Sequence, residues 1–142
     1  MTRYAAVESE VRAKASPERA FTMFTANIGE WWPVGTNSVF EGAVSFEGDE
    51  LVERKGDEVA VWAEVTRWDP PFALGLAWHA GHDATRTTDI LVTFTQDADE
   101  TVVHLSHTGW ERRPDGEEQS AGYARGWPPV LLEYEKAFDP HD

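Results

Sequence analysis

The sequence contains no cysteine, which excludes a disulfide scaffold, a thiolate zinc site, an iron–sulfur cluster and a cysteine nucleophile. Positive charge is scarce. Twelve Lys and Arg stand against 26 Asp and Glu in 142 residues, a formal net charge of −14. Over a folded surface of roughly 7,000 Å² this is about one net negative charge per ~500 Å². Such a field repels phosphate backbones and anionic lipid surfaces, so neither nucleic acid nor membrane is an expected partner. No run approaches the ~20 apolar residues of a membrane span. The opening MTRYAAVESE lacks the charged-then-apolar layout of a signal peptide, so a cytoplasmic location is expected. The GxSxG, P-loop and GxGxxG spacings are also missing. A serine nucleophile elbow and nucleotide binding therefore have no support, and no cofactor is expected.

What the chain does have is a 41% hydrophobic fraction and a high aromatic content: seven Trp, seven Phe and three Tyr. That is enough for a core, and the length suits one domain over residues 1–142. Residues 4–15 alternate, with Ala5, Val7, Ser9, Val11 and Ala13 on one side and charged residues on the other, the pattern of a half-buried strand. SPERAF then opens a short helix ending near Gly29: Ser16 caps it, Pro17 suits its first position, and Glu18 favours the positive end of its dipole. EWWPVGTNS reads as a loop, broken at Pro33, Gly35 and Asn37.

Strand-like runs at 40–46, 50–55, 58–68, 72–80, 87–96 and 101–109 follow, separated by turns such as Glu47-Gly48-Asp49, Asp69-Pro70-Pro71, Gly81-His82-Asp83 and Asp97-Ala98-Asp99. The spacing predicts an antiparallel meander. After a turn at Pro114-Asp115-Gly116, residues 117–138 are helical in composition, with Val130, Leu131, Tyr134 and Phe138 on one face. Pro128-Pro129 predicts a kink or a split in that helix. The expected class is α+β: a curved antiparallel sheet of about seven strands wrapped around a long C-terminal helix, with short helices after the first strand. A cavity between sheet and helix is the expected ligand site.

SPERAF, WWP, VWAEVTRWDPPFALGLAW, TVVHLSHTGW and YARGWPPVL, in that order, give the chain a family likeness over nearly its whole length. It resembles the SRPBCC or START-like helix-grip superfamily, in the branch named for the activator of the heat-shock-protein-90 ATPase. It departs from that branch at FEGAVSFEGDELVER, where relatives often carry a Glu, an Arg and a Gly pair. The resemblance implies a deep cavity for small apolar or amphipathic molecules. Relatives include lipid carriers, hormone receptors and polyketide cyclases, so the fold implies a container more than a reaction.

Alternation assigns side chains to that cavity. Leu76 and Trp78, Val92 and Phe94, and Leu105 and His107 share the bulky face of their strands. Trp32 beside the first helices, Trp110 after the last strand, and Trp127 and Leu131 on the final helix complete the expected ligand-binding set. The tryptophans would offer flat apolar walls with an indole N–H, or would simply be core. His107 is the one titratable side chain on an apolar face, with two readings: an anchor or acid/base group, or a hydrogen-bonded core histidine. No metal is expected, because His104 and His107 point to opposite faces, His79 and His82 lack a third ligand, and His141 lies in the tail. Glu64 and Asp89 are expected to point outward. So are Trp62 and Trp68, opposite Val59, Val61, Ala63 and Val65; exposed together, they would form a homodimer contact. The leading expectation is a binding module for a small hydrophobic or aromatic molecule, rather than an enzyme. The alternatives are a cyclase or dehydratase using His107 in the same cavity, and a chaperone ATPase-activating interaction module.

Overall fold

The computed structural model describes residues 6–33, 41–80, 87–113 and 115–138. Gly35, Asn37, the Gly81-His82-Asp83 turn, Pro114 and His141 lie outside the described residues. Seven strands form one antiparallel sheet: β1 (Val7–Ala13), β2 (Ala43–Glu47), β3 (Glu50–Lys55), β4 (Glu58–Asp69), β5 (Ala73–Trp78), β6 (Thr88–Asp97) and β7 (Glu100–Thr108). The order is β1-β7-β6-β5-β4-β3-β2, so only the first strand leaves the meander, crossing to pair with the last. That crossing carries α1 (Pro17–Phe24) and a 3-10 turn at Ile28–Glu30. A second 3-10 turn, Trp110–Arg112, leads into α2 (Gly116–Lys136), which packs across the curved sheet. This is the expected helix-grip arrangement. Among the described residues no helix is long and apolar enough to cross a membrane.

Local chemistry accounts for the turns. Glu47 pairs with Glu50, Lys55 with Glu58 and Asp97 with Glu100, leaving two-residue hairpin loops. Their first loop residues, Gly48, Gly56 and Ala98, adopt φ of 59°, 60° and 57°, the left-handed region that tight hairpins demand. At α1 the Ser16 hydroxyl accepts the Arg19 N–H, and Ala20, Phe21 and Phe24 turn inward.

Strict alternation fails in β4, and it fails twice. β4 pairs Ala63 with Leu51 but Val61 with Val52, so β3 skips Trp62. It also pairs Val65 with Leu76 but Arg67 with Gly75, so β5 skips Thr66. Each skip is a β-bulge, an extra residue that turns the side chains around it. Trp62 therefore faces inward, 1% exposed, with its ring 5.2 Å from Trp32 and 5.8 Å from Trp78. Trp68 is exposed, but on the inner side, opposite Leu74 and with its ring 5.2 Å from that of Phe21 in α1. The expectation that both face outward is thus corrected, and the dimer contact built on their joint exposure loses its basis. The second bulge also explains Gly75: a Cβ there would sit 2.8 Å from the Thr66 hydroxyl and 3.0 Å from Arg67 Cβ.

The concave face is apolar. Leu74, Leu76, Val92, Phe94, Val103 and Leu105 are buried beneath α1 and α2. The convex face is polar and carries ion pairs such as Arg112–Asp89, with Asp89 pointing outward as expected. α2 runs as one helix through Pro128-Pro129, so of the expected alternatives, a kink or a split, the split does not occur. Both prolines lack the N–H that would otherwise bond the carbonyls of Ala124 and Arg125.

Candidate functional site

His107 lies on the concave face, one strand in from the edge of the sheet. It is fully buried near the end of β7, and its neighbours are set by the residues that follow it. Gly109, at φ 90°, turns the chain so that Trp110 folds back beneath the imidazole. The two rings lie 4.2 Å apart, and the Trp110 indole N–H donates to the His107 carbonyl at 3.0 Å. Trp127 of α2 donates its indole N–H to His107 Nδ1 at 3.1 Å. An indole nitrogen can only donate, so Nδ1 must be the acceptor and the imidazole proton sits on Nε2. That N–H donates to the Thr88 hydroxyl at 2.6 Å, whose own hydrogen reaches the Trp78 carbonyl at 3.4 Å.

Burial holds the imidazole neutral, pushing its pKa down to about 3, with the nearby Arg113 cation adding to the effect. Arg113 is itself buried and donates to the Trp78 carbonyl at 3.2 Å and to the Gln119 side chain. Of the two readings of His107, the hydrogen-bonded core histidine fits this geometry. An acid/base group needs a nitrogen free to meet substrate, and both of these are committed.

Around His107 the aromatic rings form a continuous mesh. Trp32 touches Trp62, Trp78 and Trp127 at 5.2, 6.3 and 6.1 Å between centroids, and Trp78 lies 5.7 Å from Trp127. Tyr123, one turn before Trp127 on α2, packs 4.9 Å from His107 and accepts the Trp78 indole N–H on its hydroxyl at 2.9 Å. Edge-to-face and tilted pairs of this kind each add about 0.5–1.5 kcal/mol beyond burial. These rings lean on one another, so a ligand entering here must part them.

All ten residues expected to bind ligand are buried: Trp32, Leu76, Trp78, Val92, Phe94, Leu105, His107, Trp110, Trp127 and Leu131. Trp32, Trp78, His107, Trp110 and Trp127 come together in the mesh. Phe94 does not join them; it packs against Phe21 and Phe24 of α1, at 5.2 and 5.9 Å. Trp62, Tyr123, Thr88 and Arg113 belong to the site but were not expected there. The four-residue spacing of Tyr123 and Trp127 on one helix could have flagged the tyrosine.

Glu64 is less solvated than expected, because His79 Nε2 lies 2.7 Å from its carboxylate and His79 is itself buried. Among the described residues no cluster of His, Asp and Glu could hold a metal ion. On the opposite face of the sheet a half-open groove of about 470 Å³ runs over Gly75, between Thr66, Arg67, Asp89, Ser106 and Thr108. It shares no polar group with the aromatic mesh.

Residues 14–138 match the protein family described as Activator of Hsp90 ATPase homolog 1-like protein. No curated protein matches the chain. Solved structures do. The Aha1 dimer from Colwellia psychrerythraea is 20% identical, with 95% of this chain covering 96% of that one at a TM-score of 0.70. MLL2253 from Mesorhizobium loti is 22% identical over 97% of this chain and 99% of its own, at 0.69. CalC from Micromonospora echinospora, described as a self-sacrificing resistance protein, is 23% identical over 94% of each chain, at 0.62. At these identities the likeness establishes the fold.

Proposed function

The chain belongs to the Activator of Hsp90 ATPase homolog 1-like family, and from that premise we propose that it binds a small, ring-containing hydrophobic molecule on the concave side of its sheet. The observation that carries this reading is the mutual contact of Trp32, Trp62, Trp78 and Trp127 beneath the N-terminal half of α2. Flat indole faces suit flat guests, and the guest replaces one ring–ring contact with another. Entry is by the loose end. Between Gly116 and Gly126, α2 is mostly solvent-exposed, and it is held inward by Gly116 against Trp110, by Gln119 on Arg113 and by Tyr123 and Trp127. Lifting it parts the rings. The ligand residues are those of the mesh, with Leu76, Leu105 and Leu131 as its apolar floor.

A cyclase-like reaction through His107 is the weaker reading, because both its ring nitrogens are engaged. The chaperone-activating reading draws on the family's description and on the relative described as an Aha1 dimer. No residue in the site speaks for it.

The test is a panel of two- and three-ring aromatic compounds, followed by tryptophan fluorescence and by the melting temperature. A ligand at about 100 times its dissociation constant stabilises the folded state by about 2.7 kcal/mol, a shift of several degrees. A panel that moves neither the emission nor the melting temperature overturns the proposal.

A further inference from the structure

Four of the buried tryptophans have an acceptor for the indole proton. Trp31 Nε1 donates to the Met23 carbonyl at 2.8 Å and Trp110 Nε1 to the His107 carbonyl at 3.0 Å. Trp78 Nε1 donates to the Tyr123 hydroxyl at 2.9 Å, and Trp127 Nε1 to His107 Nδ1 at 3.1 Å. Trp62 differs. It is 1% exposed, and among the described residues its Nε1 has no hydrogen-bond partner. An indole nitrogen can only donate, so this is a buried donor without an acceptor. Such a group bears its desolvation penalty uncompensated, and nearly all buried polar atoms in folded proteins are paired.

The position of this donor gives it a use. Trp62 is the extra residue of a β-bulge, a device that re-aims a side chain and recurs beside functional sites. Its ring meets Trp32 at 5.2 Å and 58°, and Trp78 at 5.8 Å and 66°. Neither neighbour stacks flat upon it, so ring edges as well as ring faces line these contacts. A guest that parts Trp32, Trp62 and Trp78 lies against the Trp62 ring. The protons of Trp78 and Trp127, beside the same space, are already held by Tyr123 and His107.

We propose that the Trp62 indole N–H is the specificity-determining donor of the ligand site, and that it selects a ring carrying a carbonyl group, an aryl ketone or a quinone. A carbonyl oxygen accepts this proton and brings no proton of its own that needs a buried partner. A hydrocarbon of the same shape fills the space and leaves the N–H unpaired. This selectivity rests on the ligand-binding reading above.

The experiment compares 2-acetylnaphthalene with 2-isopropenylnaphthalene, in which a CH₂ group replaces the carbonyl oxygen. Each is titrated into the ¹⁵N-labelled full chain, wild type and Trp62→Phe, the substitution keeping a ring and removing the N–H. The ketone is expected to bind the wild type about tenfold more tightly, although burial alone favours the more apolar alkene. The Trp62 indole proton, assigned from its proximity to the Trp32 and Trp78 rings, moves downfield with the ketone and not with the alkene. In Trp62→Phe the preference disappears. Should that variant fail to fold, the wild-type preference and the indole shift decide. Equal binding of the two compounds to the wild type overturns this inference and leaves the ligand site standing. So does a preference that survives in Trp62→Phe, which would make Trp62 wall alone. Failure of both compounds to bind removes the site and the inference together.

Discussion

The two halves of α2 lie on the same sheet but are held in different ways. From Val130 onward the helix is locked: Val130, Leu131 and Tyr134 are buried, and the Tyr134 hydroxyl donates to the Ala20 carbonyl of α1 at 2.8 Å. Burial pushes that phenol's pKa upward, so it remains a donor at any ordinary pH. Before Pro128 the helix contains Gly122 and Gly126, where an added Cβ would meet nothing within 4 Å, and it is held inward by the rings of Tyr123 and Trp127 and by the Arg113–Gln119 hydrogen bond. One half of the helix completes the core. The other closes over the aromatic mesh, and the proline pair between them relieves the helix of two backbone bonds. The difference teaches that a single element can belong to the scaffold at one end and to the site at the other.

The comparison breaks most directly at Tyr134. Replacing it with alanine removes a buried ring and its hydrogen bond to the Ala20 carbonyl, at an expected cost of about 3–5 kcal/mol in urea unfolding. A loss below 1 kcal/mol would mean that the locked half is no better held than the free one. The joint between the halves is read by pH. His107 is neutral when folded, with a pKa of about 3, against about 6.5 in the unfolded chain. Below about pH 6.5 the unfolded state takes up a proton that the folded state refuses. Stability therefore falls as pH drops, by about 1.4 kcal/mol per unit while that window lasts, and the term is fully present above it. Unfolding midpoints from pH 7 to pH 4, set beside those of His107→Gln, isolate it; identical slopes would remove His107 from the account. The smallest effect sharpens the contrast from the free side. Gly122→Ala and Gly126→Ala should each stabilise the helix by about 0.5–1 kcal/mol. Both should slow amide exchange before Pro128 while leaving the Val130–Tyr134 segment unchanged.

Much of this architecture was legible in the residues. SPERAF, the two-residue turns and the period-two strands specify α1, the hairpins and the meander, because caps and turns are local chemistry. Alternation puts His107 on the inner face because β7 runs without interruption. The same alternation misplaces Trp62, because a bulge arises from the pairing of two strands and no single strand announces it. For Phe94, alternation gives the side of the sheet, whereas α1 decides its neighbours, because that helix covers this stretch of the concave face. The hydrogen bond from Trp127 to His107 joins residues twenty positions apart in sequence, beyond the reach of any local pattern.

The extra residue at Trp62 has a consequence for descent as well as for shape. Leu51 pairs with Ala63 and Val52 with Val61, so the bulge absorbs Trp62 and the residues on either side keep their faces. A relative without that one residue would keep every other interior position and lose a single indole from the wall. A comparison with such a relative places its gap at Trp62 alone. One codon gained or lost there changes the aromatic wall and leaves the scaffold as it was.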